Sequence, residues 1–149
     1  MKYVLSILLT GLLSFNINTR YTINLSAKSI EVEYAKDHTV YKEKFPDATT
    51  RTVYKDEKGK FHTCDGKEVT VKVIEQGGSC DGVKLSVGST RNIEGKVLSI
   101  DTNSIKIDGE DAWYIIHFTT SQFKMILNMQ KTGEIGVDKS ISLNVNITG

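Results

Sequence analysis

The stretch GKVLSIDTNSIKIDGEDAWYIIHF, residues 95–118, decides the fold class of this chain. Apolar Val97, Leu98 and Ile100 fall in residues 95–100, apolar and polar side chains alternate in residues 104–107, and a third apolar run covers residues 113–118. The turn-forming residues Asp101-Thr102-Asn103 and Asp108-Gly109-Glu110-Asp111 separate the three runs. Alternation with a period of two is typical of half-buried strands, and clusters of Asp, Asn and Gly are typical of turns. The stretch therefore predicts a three-strand meander.

A helix is predicted directly after the meander, near residues 120–132. Thr119 is suited to the N-cap position and Gln122 follows three residues later, as in a capping box. The predicted buried face consists of Phe123, Ile126 and Leu127, with Met129 near its edge. Lys131 in the last turn and Gly133 at the C′ position favour a helix end there. The Phe and Met side chains are expected to pack in the core.

The remaining alternating segments complete a mainly β pattern. The strictest alternation ends the sequence, where apolar Ile141, Leu143, Val145 and Ile147 alternate with Ser140, Ser142, Asn144 and Asn146. Upstream, strands are predicted from three apolar triplets, Ile30/Val32/Tyr34, Val69/Val71/Val73 and Val83/Leu85/Val87. A meander, a helix and a returning strand is the order of a small OB-like barrel. We therefore predict a mainly β (minor α+β) OB-like barrel of about six to eight strands, with Val83–Val87 as an upstream barrel strand.

The first residues predict an export signal. Lys2 is followed by about a dozen mostly apolar residues, which is the arrangement of a secretory signal peptide. The run is shorter than the roughly 20 residues of a membrane-spanning helix, and a buried core helix is the alternative. The signal is assigned to residues 1–27, although the cut could fall earlier, near residues 14–18. The predicted domain is then residues 28–149, secreted or periplasmic, with no stable membrane span after the signal is removed.

Charge argues against a nucleic-acid partner. Without Lys2 and Arg20 the 19 basic residues fall to 17, against 18 acidic residues. Nucleic-acid binding depends on a basic face that neutralises many phosphates. A mature chain of about 120 residues suits a single domain with an ordinary core.

The only two cysteines, Cys64 and Cys80, are each followed by Asp-Gly. An even pair in an exported domain predicts a disulfide. Zinc would need further ligands, with only His62 nearby, and a redox pair would need closer spacing. If Asp65-Gly66 and Gly77-Gly78 were both tight hairpin turns, the strand between them would hold the cysteines too far apart for the bond. The disulfide is therefore expected to exclude the first tight turn.

Two resemblances suggest functions. The segment from Gly95-Lys96-Val97 to Asn146 resembles the Shiga-type B subunits of pentameric bacterial toxins in its order of strands, helix and final Ser-Ile-Ser-Leu-Asn-Val strand. That resemblance implies an OB fold and a secreted, homo-oligomeric module that binds a glycan or a protein. The stretch Cys64-Asp65-Gly66-Lys67, running into an alternating strand, is similar to periplasmic inhibitors of C-type lysozyme. That likeness implies a monomeric accessory or inhibitor protein acting by protein–protein contact.

No enzymatic site is predicted. His38, His62 and His117 lie in separate segments without triad order or metal-ligand spacing, so no catalytic residue, metal or cofactor is expected. On the third meander strand, Trp113 and His117 are expected to face outward, opposite the all-apolar face of Tyr114.

The outward face of that strand is the candidate binding surface. It comprises Trp113 and His117, with Asp111, Asn103 and Ser104 nearby to hold a sugar ring. The alternative is that Trp113 caps the barrel and His117 is merely hydrogen-bonded, since Trp is highly buried on average.

Overall fold

The computed structural model of the chain describes residues 22–149, which form twelve strands and one helix. In chain order these are β1 (Thr22–Ala27), β2 (Ser29–Glu33), β3 (Val40–Lys44), β4 (Thr50–Lys55), β5 (Phe61–Thr63), β6 (Glu68–Val69), β7 (Ile74–Gln76), β8 (Val83–Lys84), β9 (Thr90–Asp101), β10 (Ser104–Asp108), β11 (Trp113–His117), α1 (Thr120–Thr132) and β12 (Ser140–Ile147). The predicted mainly β fold with one helix is confirmed.

The larger sheet has seven strands in the order β1-β12-β9-β10-β11-β2-β8. Neighbouring strands are antiparallel except β1 and β12, which run parallel. The meander predicted from residues 95–118 forms its centre as β9, β10 and β11, and the strict alternation at the end of the sequence forms β12. Strand β9 begins earlier than its alternation indicated and has 12 residues.

Gly95 allows this sheet to coil. The first half of β9 pairs with β12 and its second half pairs with β10, and the register shifts opposite Lys106 and Ile107. A Cβ atom at Gly95 would lie 2.3 Å from the carbonyl oxygen of Asp108. Only glycine allows this close approach of the two backbones, and such positions often mark a sharp bend in a strand.

The core lies on the inner face of the seven-stranded sheet. Its fully buried large side chains include Ile30, Val32, Ile93, Val97, Ile105, Ile107, Ile116, Ile126, Ile135, Leu143 and Ile147. Helix α1 contributes Phe123 and Ile126 to the same cluster. Burial of such aliphatic side chains stabilises the fold by about 1.5–3 kcal/mol each.

Within residues 22–149 the larger sheet does not close into a barrel, which corrects the OB-like expectation. Its edge strands are β1 and β8, and no strand pairing joins them. The predicted barrel strand Val83–Val87 pairs with β2 only through Val83 and Lys84, and Val87 is 66% exposed. Beyond β8 the chain bonds once to Ile30 and twice to Ile147, so it crosses the gap without forming a ladder.

A second sheet of five strands, in the order β6-β5-β4-β3-β7, accounts for most of the strands beyond the predicted number. The predicted strand Val69–Val73 is wrong, because only Glu68–Val69 is a strand and Val73 is 56% exposed. The chain instead crosses from β6 at one edge of the sheet to β7 at the other. Val71 and Val73 do not form a strand because no neighbouring strand of the described residues pairs with this part of the chain.

The predicted disulfide Cys64–Cys80 is present, with a Cα–Cα distance of 5.4 Å. The predicted exclusion of the first tight turn is wrong. Thr63 and Lys67 close a turn around Gly66, whose φ is +90°. Bond and turn coexist because the crossing after β6 brings the chain back toward Cys64.

The bond fastens the segment that connects the two sheets. Gly82, just beyond Cys80, lies against Glu31 of β2 in the larger sheet, and Gly66 lies against the ring of Tyr34. Lys36 donates to Asp108 at 2.9 Å, which gives a third link between the connecting chain and the larger sheet. The disulfide therefore holds one of several contacts that position the smaller sheet.

The helix has the predicted caps. The Thr119 side chain accepts a hydrogen bond from the Gln122 backbone N–H, and Gly133 adopts the left-handed C-cap conformation. Phe123 and Ile126 are buried as predicted, and Met129 packs partly against the core. Leu127 is the exception at 41% exposure, because it lines an open cleft between the helix and Ile100 of β9.

Strand β1 lies within residues 1–27, the segment predicted to be the export signal. Residues 22–27 pair with β12 along their whole length, and Leu25 and Ala27 are buried in the core. A cut after Ala27 would remove this strand from the sheet, whereas a cut near residues 14–18 would leave it in place. The apolar run of the predicted signal lies outside the described residues.

Candidate functional site

Strand β11 presents two chemically different faces, as the sequence indicated. Tyr114, Ile116 and Phe118 are buried in the core, whereas Trp113 and His117 are partly exposed on the outer face of the larger sheet. The predicted orientation of this strand is confirmed. Because β11 lies between β10 and β2, its outward side chains have polar neighbours on both sides.

Trp113 is covered by a cation. The Lys106 ammonium lies 4.0 Å from the centroid of the indole ring. The direct cross-strand neighbours of Trp113 are Asp108 and Glu33. Such a cation–π contact contributes about 0.5–1 kcal/mol at an exposed site. The indole is therefore half of an existing pair, and a ligand that stacks on this ring face would have to displace Lys106.

At the other end of β11, His117 forms an ion-pair geometry with Glu31 of β2. His117 Nε2 lies 3.0 Å from Glu31 Oε1. A carboxylate can only accept a hydrogen bond, so Nε2 carries the hydrogen and donates it. Both side chains remain partly exposed, at 40% for His117 and 32% for Glu31, so a ligand can reach the pair.

This pair lines an open cleft of about 430 Å³. The lining residues are Lys28, Ser29, Glu31, Lys84, Asn103, His117 and Phe118. Two backbone bonds hold its walls, since Lys28 N–H donates to the His117 carbonyl at 2.8 Å and Phe118 N–H donates to the Asn103 carbonyl at 2.7 Å. Strand β8 brings Lys84 opposite Glu31. We call this set of residues the His117 cleft.

The structure separates the four predicted site residues into three places. His117 and Asn103 meet in the His117 cleft, with Ser104 directly across from His117. Trp113 lies four residues along the strand, about 13 Å away. Asp111 is exposed in the turn before β11, where it accepts a hydrogen bond from the Tyr114 hydroxyl at 3.0 Å.

Asp111 belongs to a structural cluster at the edge of the core. The Arg91 guanidinium packs over the Tyr114 ring at 5.7 Å and donates to its hydroxyl at 3.4 Å. Burial is the main reason that the pKa of Tyr114 is raised. The pKa of Arg91 is also raised, chiefly by its hydrogen bond to Tyr114. Tyr114 thus stays a neutral phenol, and Asp111 serves as its hydrogen-bond acceptor.

Glu31, Lys84, Lys28 and Ser29 are the site residues that sequence reasoning missed. Glu31 alternates with the buried Ile30 and Val32, so its outward orientation was readable from the sequence. Its position beside His117 was not readable, because the two are 86 residues apart and meet only through the pairing of β2 with β11.

The other two histidines have structural surroundings. His38 and His62 both stack on the Tyr54 ring, with ring centroids 5.7 and 5.0 Å from it. His62 also lies 2.8 Å from Asp56, and this hydrogen bond is the main reason that the pKa of Asp56 is lowered to about 2. Within residues 22–149, no group of three or more His, Cys, Asp or Glu side chains is placed to hold a metal ion.

Comparisons with models of protein families, with curated proteins and with solved structures find no match to this chain. The resemblances to toxin B subunits and to lysozyme inhibitors therefore stay predictions. Among the described residues, no helix has both the length and the apolar character needed to cross a bilayer. The disulfide between the two cysteines fits an extracellular or periplasmic protein.

Proposed function

We propose that this chain is an exported, non-enzymatic binding domain that engages a glycan through the His117 cleft on the outer face of its larger sheet. The observation that carries the proposal is the chemistry of the cleft lining. Glu31 offers a carboxylate acceptor, Lys84 an ammonium donor, and Asn103 an amide that does both. Sugar hydroxyls donate and accept hydrogen bonds, so they match such a mixed set.

The size and openness of the site support the same ligand class. Small-molecule sites have volumes of about 300–1,000 Å³, and the cleft lies within that range at about 430 Å³. Its wall is mostly polar, which favours a hydroxyl-rich ligand over an apolar one. Trp113 lies about 13 Å farther along β11, so an oligosaccharide extending along the strand could reach the indole after displacing Lys106.

A glycan array on the mature protein tests the proposal. Binding to a defined set of glycans is the expected result, and an array without reproducible binding overturns it. Sedimentation mass then separates the two predicted forms: a ring of several copies agrees with the toxin-like prediction. A monomer without glycan binding favours the lysozyme-inhibitor-like alternative.

Substitution locates the site. Hydrogen bonds to charged groups contribute about 1.5–3 kcal/mol, so Glu31→Gln should weaken glycan binding by about 10- to 100-fold. Lys58→Gln, on an exposed loop of the smaller sheet, is the matched control and should leave the affinity unchanged. Equal affinities for the two variants, with both folded by circular dichroism, would place the ligand elsewhere.

A further inference from the structure

The smaller sheet carries a second cleft, which shares no lining residue with the His117 cleft. It is formed between the turn after β3 and the segment that leads into β7, and it has a volume of about 510 Å³. Its lining residues are Glu43, Lys44, Phe45, Pro46, Arg51, Thr70, Lys72 and Val73. We call it the Phe45 groove. A backbone bond of 2.9 Å from Lys44 N–H to the Val73 carbonyl joins its two sides.

The Phe45 groove contains an ion pair whose carboxylate is buried. Glu43 is only 4% exposed, and one of its oxygens accepts from Arg51 Nε at 2.9 Å and from Arg51 Nη2 at 2.6 Å. Because a buried carboxylate is costly without a partner, Arg51 is fixed in place by this bond. The guanidinium also packs over the Phe45 ring at 5.5 Å.

The walls of the groove are apolar. Phe45 and Pro46 form one side, and Val73, which is 56% exposed, forms the other. The turn that holds Phe45 is braced by Asp47, which accepts from the Thr49 hydroxyl at 2.6 Å and from its backbone N–H at 3.0 Å. The ring is therefore presented on a defined turn, so it could contact an apolar ligand without prior reorganisation.

The lining has an excess of positive charge. Glu43 balances Arg51, and Glu75 lies 3.0 Å from Lys44. Lys72 has no carboxylate partner among the ion pairs of the described residues, and the third guanidinium nitrogen of Arg51 makes no described contact. These two groups leave donors free beside an apolar wall, on a chain whose formal net charge is only +1.

We propose that the Phe45 groove binds a small organic anion that joins an apolar body to a carboxylate. The apolar body lies between Phe45 and Val73, and the carboxylate accepts hydrogen bonds from Lys72 and from the free edge of Arg51. A cationic ligand would meet three positive side chains, because the only carboxylate in the lining is already occupied by Arg51. The site is independent of the His117 cleft, so either proposal can fail alone.

The test uses 4-phenylbutyrate as the probe and its neutral analogue, 4-phenylbutan-1-ol, as the matched ligand. Both are titrated into the full chain at millimolar concentration while backbone amide shifts are followed by NMR. We expect 4-phenylbutyrate to shift the amides of Phe45, Arg51 and Val73, and the alcohol to bind about tenfold more weakly, as loss of a charge-assisted hydrogen bond implies. Equal affinities, shifts confined to other regions, or no binding of either compound overturn the proposal.

Lys72→Gln tests the charged contact without disturbing the buried pair, since Lys72 is an exposed side chain. It should weaken 4-phenylbutyrate about two- to fivefold, the range of an exposed ion pair, and leave the alcohol unaffected. Lys58→Gln is the control and should change neither. An effect of Lys72→Gln on both ligands, or on neither, contradicts the assigned contact.

Discussion

Removal of the Cys64–Cys80 bond should lower the free energy of unfolding by about 3 kcal/mol. The perturbation is the double substitution Cys64→Ala and Cys80→Ala, which avoids leaving a reactive thiol. The two cysteines are 16 residues apart. With a loop of that length, the chain-entropy relation for a cross-link gives about 10 cal/mol/K, or about 3 kcal/mol at 25 °C.

The structure also locates where the loss should appear. Between and just beyond the cysteines the strands are short, with two residues in β6, three in β7 and two in β8. Such segments have few backbone bonds and mostly exposed side chains, so they open at low free energy once the link is removed. The long strands β9 and β12 pair with each other over seven residues and contribute buried side chains to the core, so they should open only with global unfolding.

Urea denaturation of both proteins, followed by circular dichroism, gives the difference in unfolding free energy, and amide hydrogen exchange gives its location. The amides of β7 and β8 should lose protection by a larger factor than those of β9. A difference below about 1 kcal/mol would contradict the loop-entropy reasoning. An equal loss of protection in β8 and β9 would show that the bond stabilises the fold as a whole and not this segment.

Three further predictions concern single side chains. Thr119→Ala should destabilise the protein by about 1 kcal/mol in urea denaturation, because the helix loses its N-cap acceptor, whereas Thr119→Ser should retain most of that stability. Gly95→Ala should cost about 1–3 kcal/mol or more, because its Cβ would lie 2.3 Å from a carbonyl oxygen. Gly136→Ala, whose Cβ would meet only a flexible lysine side chain at 3.5 Å, should stay within about 0.5 kcal/mol of the wild type in the same assay. The pKa of Asp56 is lowered from 3.8 to about 2, chiefly by the hydrogen bond from His62. The ionised carboxylate therefore stabilises the folded protein fully above about pH 4, and this contribution is lost as the pH falls through 2. The stability difference between wild type and Asp56→Asn should therefore shrink over that window in a pH series of urea titrations, and a difference that grows toward low pH would refute the assignment.

Capping residues and apolar periodicity correctly predicted the helix and the strands of the C-terminal half. Helix α1 has both caps and a correct buried face at Phe123 and Ile126. Strands β10, β11 and β12 alternate as half-buried strands should, and their inward side chains are in the core. In these segments the local pattern and the tertiary environment favour the same structure, so the structure can be predicted from the sequence.

The same signal misled at two places. Residues 69–73 and 83–87 alternate as cleanly as β10, yet Val73 and Val87 are largely exposed. Alternation indicates which side chains could share a buried face. It does not supply the neighbouring strand whose backbone groups must pair. Only Val69 of the first segment, and Val83 and Lys84 of the second, belong to a paired strand.

The candidate site was also predicted only in part. Sequence reasoning placed Trp113 and His117 on an outward face, because a period of two fixes relative orientation along one strand. It grouped Asp111 with them only because the residues are close in the chain, and the structure turns Asp111 to the other side, toward Tyr114. Glu31 and Lys84, which complete the His117 cleft, come from strands that are distant in sequence.

By itself, the sequence determined the secondary structure of the C-terminal half, the helix with its caps, the facing of β11 and the pairing of the two cysteines. Only the tertiary structure decided that β2 lies beside β11, that the chain forms two sheets instead of a closed barrel, and that Glu31 meets His117. The physical reason is range. Periodicity and capping act over a few residues, whereas sheet order depends on which distant backbones can pair while burying their apolar faces together.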